Sequence, residues 1–270
     1  MPVITLTDGD TSEIIPGDGD TVIAPLGVRF DGVLGGAPSD LRVEVEGQIG
    51  DLSLSPAGIG FGIDTGGADN VTVIVAETGV IAGLGDGTLP PLSPSAPLSP
   101  LVVFGEGFTL HNHGLIEVGQ PDGFVSTAVY ASGDGADILN TGAIRASTGL
   151  VLPGVQGILV EAPGAPDGGP APAGVSLRNE GLIRAQTGVA LDAPDFFVMN
   201  GGTIEADTGI TIAGGFGQVR NWGTITSPLN GSSLSPRVGI LVEPGALGGD
   251  PSPEFEGPIV ARNHGRIEAE

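Results

Sequence analysis

Isoleucine, valine and leucine fall at alternate positions within runs of about five residues, and glycine, proline or asparagine interrupts each run. Period-two alternation is the pattern of a strand with one face buried. One phrase organises the runs. Asn-x-Gly-x-Ile occurs six times, beginning at Asn112, Asn140, Asn179, Asn200, Asn221 and Asn263. The intervals are 28, 39, 21, 21 and 42 residues, the last twice the shortest. A period near 20 that accepts insertions is that of a solenoid, in which each repeat is a coil stacked on the one before.

The shortest repeats give the template. From Gly181 the chain reads Gly-Leu-Ile-Arg-Ala, then Gly-Val-Ala-Leu-Asp, then Phe-Phe-Val-Met-Asn, three short strands with a corner after each. Alternation turns Ile116, Ile144, Ile183, Ile204, Ile225 and Ile267 inward. Val118, Ala146, Ala185, Ala206, Ser227 and Ala269 follow two residues on, and Leu110, Ile138, Leu177, Val198, Val219 and Ala261 precede each Asn by two. The prediction is an all-β chain folded as a right-handed parallel β-helix (β-solenoid), with three short strands per coil and a minimal coil of about 21 residues. Stacking places the six Asn in one column, where their amides bond along the axis. The Gly two residues later reads as a corner needing positive φ, a geometry Asn also tolerates.

Residues 108–270 carry the regular repeats. Residues 1–107 are less regular: Gly47-Gln48-Ile49 and Gly79-Val80-Ile81 keep the glycine and isoleucine but lack the Asn. They read as a divergent region that still stacks and caps one continuous elongated domain. Insertions rich in Pro, Gly and Ser enter at two corners only. Leu84–Pro100, Gly119–Phe124 and Ser227–Arg237 follow strand one; Ala162–Gly174 and Pro244–Gly257 follow strand two. Gly157-Ile158-Leu159-Val160-Glu161 recurs unchanged as Gly239-Ile240-Leu241-Val242-Glu243, which fixes the register of strand two.

Composition narrows the function. With 49 glycines and 23 prolines the chain would read as disordered if it had no period, so the glycines are read as corners. The 32 acids against nine bases give a net charge of −23, and every base is Arg. That balance argues against nucleic acid or an anionic membrane as partner. No lysine removes Schiff-base chemistry, and no cysteine removes disulfides and thiolate catalysis. The first residues have no basic segment followed by an apolar one, so they do not read as a secretory signal, and no run approaches the ~20 apolar residues of a membrane span.

Several groups are candidates for chemistry. Asp8 and Asp10, then Asp18 and Asp20, stand in repeated Asp-Gly-Asp-Thr segments, and Asp134 and Asp137 in Gly-Asp-Gly-Ala-Asp. Carboxylates spaced by turn glycines are candidate Ca²⁺ ligands, and the alternative is solvated turns. Arg178, Arg220 and Arg262 each precede a ladder Asn and form an outward column, a candidate site for carboxylate or sulfate on a glycan. Arg145 and Arg184 share a second column with Glu117, Glu205 and Glu268, a candidate ladder of ion pairs. His111, His113 and His264 point outward without a third metal ligand nearby. No carboxylate pair of the kind a polysaccharide hydrolase needs can be placed in one column, and Trp222 and Tyr130 are too few to predict a sugar-stacking groove.

Repeats such as Ile138-Leu139-Asn140-Thr141-Gly142-Ala143-Ile144 resemble the passenger regions of autotransporters and filamentous-haemagglutinin-type adhesins, and β-solenoid segments of acidic bacterial surface proteins associated with RTX repeats. The resemblance covers about residues 108–270. It implies a non-enzymatic structural or adhesive β-solenoid, extracellular or on the bacterial cell surface, requiring no cofactor. Its expected partners are other copies stacked head to tail into fibres through open coil edges, other surface proteins, or polysaccharide. The alternative is a glycan-binding or polysaccharide-cleaving β-helix such as a phage-type spike.

Overall fold

The computed structural model describes residues 2–31, 33–50, 62–65, 67–84, 99–120, 126–148, 155–161, 174–213, 215–227, 238–243 and 259–268. These contain strands and no helix, arranged as three parallel sheets that run the length of a β-helix. The ladder sheet contains, in spatial order, β1 (Val3–Thr5), β3 (Thr21–Ala24), β6 (Arg42–Val45), β9 (Thr72–Val75), β12 (Thr109–Asn112), β15 (Asp137–Asn140), β18 (Val175–Asn179), β21 (Asp195–Asn200), β24 (Phe216–Asn221) and β27 (Ile259–Asn263). The isoleucine sheet contains β4 (Arg29–Phe30), β7 (Gln48–Ile49), β10 (Val80–Leu84), β13 (Leu115–Gln120), β16 (Ala143–Thr148), β19 (Leu182–Arg184), β22 (Thr203–Glu205), β25 (Thr224–Thr226) and β28 (Arg266–Glu268). The third sheet contains β2 (Glu13–Ile14), β5 (Val33–Leu34), β8 (Ile63–Asp64), β11 (Leu101–Phe104), β14 (Thr127–Ser132), β17 (Gln156–Glu161), β20 (Thr187–Asp192), β23 (Thr208–Ala213) and β26 (Val238–Glu243).

From β3 onward the chain visits the ladder sheet, the isoleucine sheet and the third sheet in turn, while the first coil passes from β1 to β2 without an isoleucine-sheet strand. Neighbouring strands lie about 4.8 Å apart, so ten strands of the ladder sheet span about 45 Å. All three sheets pass through the 107/108 boundary without interruption: Thr109 pairs with Thr72, and Leu115 with Val80. The 42-residue interval before Asn263 is a single coil, since Asn221 pairs directly with Asn263. The corner from the ladder sheet to the isoleucine sheet keeps two residues at every Asn-x-Gly-x-Ile repeat. The five insertions noted in the sequence lie largely outside the described residues, between the isoleucine and third sheets or between the third and ladder sheets.

The core is aliphatic, as alternation requires. Ile49, Ile81, Ile116, Ile144, Ile183, Ile204 and Ile225 stack in register and are buried. Each contributes about 1.5–3 kcal/mol of burial. The column is tight enough to dictate a residue on another strand. A Cβ on Gly157, Gly188, Gly209 or Gly239, at the start of the third-sheet strands, would meet the Cγ2 of Ile183, Ile204, Ile225 or Ile267 at 2.4–2.7 Å. The recurring glycine of strand two is therefore the space into which the next coil's isoleucine packs. Ile267 and Ala261 keep the inward register but are exposed, because no described strand lies beyond β27 and β28.

The Asn column forms the expected ladder. Nδ2 of Asn112, Asn140, Asn179, Asn200 and Asn221 each donates to Oδ1 of the Asn one coil on, at 2.7 Å in every case. Nδ2 of Asn112, Asn140, Asn179 and Asn200 also reaches a carbonyl at the next corner, such as Ala143 O from Asn112 at 3.2 Å. Each backbone carbonyl of Asn112, Asn140, Asn179, Asn200 and Asn221 accepts from both corner N–H groups of the following coil. At its first member the ladder stops: Asn112 pairs in register with Val75, and its Oδ1 is buried without a donor.

The reason expected for the corner glycines is wrong. Gly114, Gly142, Gly181, Gly202, Gly223 and Gly265 do not have positive φ, and neither do the ladder Asn residues. These glycines are required by close approach instead. A Cβ on Gly142, Gly181, Gly202, Gly223 or Gly265 would lie 2.0–2.1 Å from the carbonyl oxygen of the equivalent glycine one coil back. A stacked column of left-handed residues sits at a different corner, between the third and ladder sheets, whereas Gly27 is left-handed at the ladder-to-isoleucine corner of an early coil. In the column Gly19, Asp40, Asn70, Gly107 and Gly135 have φ of 72°, 58°, 57°, 72° and 74°. They stack through Gly19 N–H to Ser39 O, Asp40 N–H to Asp69 O, Asn70 N–H to Glu106 O and Gly107 N–H to Asp134 O. Only Gly, Asp and Asn occupy that column, the residue types that tolerate this geometry.

Candidate functional site

The outer face of the ladder sheet changes character along its length. The position before the ladder residue runs His111, Leu139, Arg178, Met199, Arg220, Arg262. The predicted arginine column is thus interrupted: Met199 separates Arg178 from Arg220, while Arg220 and Arg262 are direct neighbours. Arg178 is also engaged, in an ion pair with Glu180 of its own coil. Arg220 is held differently. Its Nη2 donates to Gln218 Oε1 at 2.8 Å, its Cζ lies 5.5 Å from the centre of the Phe197 ring, and its buried Nε has no partner. A planar guanidinium laid on a ring face is a cation–π contact. Among the described residues neither Arg220 nor Arg262 has a carboxylate partner.

Exposed aromatic side chains occur on the same strands and at the adjoining corner. In β21 the sequence Asp195-Phe196-Phe197-Val198 lets only Phe196 and Val198 face the core, so Phe197 is turned out and is 37% exposed. Phe216 is 41% exposed at the start of β24. Trp222, at the corner beyond Asn221, is 57% exposed and stacks on His264 of the next coil, ring centroids 4.3 Å apart and planes 16° from parallel. Sequence reading counted Trp222 and Tyr130 alone. The two exposed phenylalanines were hidden because a pair of adjacent aromatics does not say which one faces inward.

A second polar group lies on the third sheet. Its strands are buried on both faces: Val102, Tyr130, Leu159 and Ala190 alternate with the core residues yet form an apolar cluster of their own, with Phe104 against Tyr130 edge to face at 5.4 Å. Apolar runs such as Leu101-Val102-Val103 and Ile158-Leu159-Val160 are the sequence sign of a doubly buried strand. At the rim of this cluster Tyr130 Oη donates to Glu161 Oε2 at 2.7 Å, and Glu161 pairs in register with Asp192. Glu161 and Asp192 are thus two carboxylates in one column, a neighbour relation that the sequence did not display. Burial pushes the Tyr130 hydroxyl up to about 12, helped by the bond to Glu161. Burial, then the Glu161 charge, pushes the Asp192 carboxyl above the ordinary aspartate range. An acid raised on folding stabilises the fold when protonated and loses that contribution as pH rises. Asp192→Asn is therefore expected to raise the thermal midpoint at pH 7, with the gain vanishing below pH 3.8, where the acid is already neutral. Melts of both proteins from pH 3 to 8 check this, and a gain independent of pH would contradict it.

The six Asp named as Ca²⁺ candidates fall in separate places. Asp8 Oδ1 accepts from Arg29 N–H at 3.0 Å and Asp18 Oδ1 from Ser39 N–H at 2.9 Å, both across coils. Asp10 Oδ1 and Asp20 Oδ2 cap local turns at Ser12 N–H and Gly17 N–H, and the Ser12 bond holds Asp10 below the ordinary range. Asp134 directly precedes Gly135 of the left-handed column, and burial and then Glu106 raise its carboxyl, while Asp137 is exposed on β15. Among the described residues no three carboxylate or imidazole groups are placed to share a metal ion. The second charged column has one cross-coil ion pair among them, Arg184 with Glu205; Arg145 lies beside Arg184 and its Nε has no partner. His113 Nδ1 lies 2.7 Å from Thr141 Oγ1.

Comparison with family models, curated proteins and solved structures finds no match for this chain. The functional reading therefore stands on the chain's own geometry.

Proposed function

We propose that this chain is a non-enzymatic structural and adhesive β-solenoid of the bacterial surface, a rod whose sides present binding residues. One observation carries the reading: the side chains that repeat are committed to coil-to-coil contact. The Asn amides bond to one another, the corner glycines admit the neighbouring carbonyl, and the isoleucines fill the axis. Repetition of this kind maintains a shape over distance. Stacking of copies into fibres, coil on coil, belongs to the same proposal, since the contacts that join one coil to the next are repeated along the rod and are those one copy would offer another. Electron microscopy of the purified chain, with and without Ca²⁺, is expected to show straight narrow rods or fibres. Compact, isotropic particles would refute it.

A second reading is favoured by the half-buried Glu161–Asp192 pair beside Tyr130, an arrangement of two carboxyls compatible with glycoside hydrolysis. Incubation with acidic polysaccharides separates the two. Release of new reducing or unsaturated ends by the purified chain, abolished in Glu161→Gln, would replace the structural reading with an enzymatic one.

A further inference from the structure

The adhesive part of the structural reading leaves the ligand unnamed, and on that reading we infer that the outer face of β21, β24 and β27 binds an acidic polysaccharide through Arg220 and Arg262. The first reason is what these arginines lack. In a chain with 32 acids and nine arginines, Arg29, Arg42, Arg178, Arg184 and Arg266 each pair with a carboxylate of the chain. Among the described residues Arg220 and Arg262 lie side by side in register without such a partner, in a protein with a net charge of −23. The two arginines rise from adjacent coils, whose backbones lie about 4.8 Å apart, and together complement successive carboxylate or sulfate groups on one polymer. An Arg fork reads such planar or trigonal oxygens better than a point charge does.

The second reason is the surroundings. Phe197 already carries Arg220 on its face, which fixes the guanidinium before any ligand arrives. Gln218 holds the other side. Phe216 and Trp222 are exposed on the same coil, and an aromatic surface beside a fixed cation suits a sugar ring, whose C–H face is apolar and whose substituent is charged. An open sheet face that extends over three coils fits a chain molecule lying across it better than a small ligand needing enclosure. The −23 background repels any polyanion at long range, so attraction here is short-range and binding is expected to strengthen from very low salt to about 0.15 M, where the Debye length falls to about 8 Å.

Trp222 is the single tryptophan of the chain and serves as the reporter. Titration of the full chain with polygalacturonate, with dextran sulfate and with neutral dextran, followed by Trp222 emission and by calorimetry, tests the inference. Binding of either polyanion but not of neutral dextran is expected, and which polyanion binds identifies carboxylate or sulfate as the recognised group. The Arg220→Ala/Arg262→Ala double variant is expected to bind at least tenfold more weakly. Arg220→Lys, which keeps the charge and loses the fork, should fall between. Arg178→Ala, whose arginine is engaged by Glu180, should change affinity less than twofold. The inference is overturned if neither polyanion binds, if neutral dextran binds equally, or if Arg178→Ala costs as much as the double variant. It is also overturned if light scattering shows a wild-type dimer that Arg220→Ala dissolves, since the face would then be an interface between copies. Circular dichroism melts confirm that each variant is folded. Failure here would leave the rod expected by microscopy untouched, so the two proposals fail separately.

Discussion

Asn179→Val is expected to destabilise the chain by about 3 kcal/mol, and Asn112→Val by about 1 kcal/mol. Both change the same residue type, at equivalent register positions, with the side chain fully buried. Valine fits the column, for Val75 occupies it one coil before Asn112. The difference lies in the polar atoms left behind. Asn179 accepts from Asn140 and donates to Asn200. Its loss strips Asn200 Oδ1 of its ladder donor and Asn140 Nδ2 of its better acceptor, leaving the latter only Leu182 O at 3.2 Å. Each buried group so stranded costs about 1–3 kcal/mol. Asn112 already has a stranded Oδ1. Replacing it removes that atom and strands Asn140 Oδ1 in its place, so the number of unsatisfied side-chain acceptors is unchanged and the loss is the 2.7 Å rung plus the longer bond to Ala143 O at 3.2 Å. Denaturant unfolding of the two variants checks the ratio, and hydrogen exchange should show β18 and β21 opening first in Asn179→Val. Equal losses would mean that the amides contribute through volume alone.

The ladder was legible in the sequence because its residue is invariant and its neighbours alternate. Once Asn140 and Asn179 are known to share a column, the amides have no other partners of equal reach. The reason for glycine was not legible. A corner glycine satisfies both a positive φ and a close backbone approach, and a single sequence does not separate the two. The true left-handed column escaped notice for the opposite reason. Gly19, Asp40, Asn70, Gly107 and Gly135 are not one residue type and are not evenly spaced, so only the register aligns them.

The candidate sites show the same division. Arg178, Arg220 and Arg262 share a place relative to their Asn, which the sequence displays. Met199 breaks the column because the coil at Asn200 contributes a residue of its own, and a pattern search for arginine passes over it. Arg220 and Arg262 are 42 residues apart yet adjacent, because the intervening insertions leave the ladder-sheet register unchanged. Glu161 was visible through the repeated Gly-Ile-Leu-Val-Glu segment, but that repeat points to Glu243, three coils on, whereas the residue beside Glu161 is Asp192 of the next coil. Core and ladder depend on residue type at a fixed offset and can be read along the chain. Surface constellations depend on which coils are neighbours, and insertions of variable length conceal that.

Adjacent glycines at one corner separate the two explanations of the repeat motif by experiment. Gly202→Ala is expected to cost at least about 3 kcal/mol, or to prevent folding, whereas Gly201→Ala should be neutral or stabilise by up to about 1 kcal/mol. A Cβ on Gly202 would sit 2.1 Å from Gly181 O, 2.6 Å from Glu180 C and 2.8 Å from Gly181 N. All three are backbone atoms, so no rotamer change relieves the overlap and the coils must separate. Separation stretches the Asn179–Asn200 rung, at 2.7 Å, and the Thr203 N–H bond to Gly181 O, at 2.8 Å. Gly201 has only Asn179 O within 4 Å of such a Cβ, at 3.8 Å, and its φ is not positive. Its column carries Thr141, Glu180, Trp222 and His264 on other coils, so a side chain is accommodated there. Alanine at 201 removes freedom from the unfolded chain without adding a clash. Urea midpoints of the two variants give the comparison. If Gly201→Ala were the more damaging, conformational freedom rather than coil spacing would be what the Asn-x-Gly-x-Ile repeat preserves.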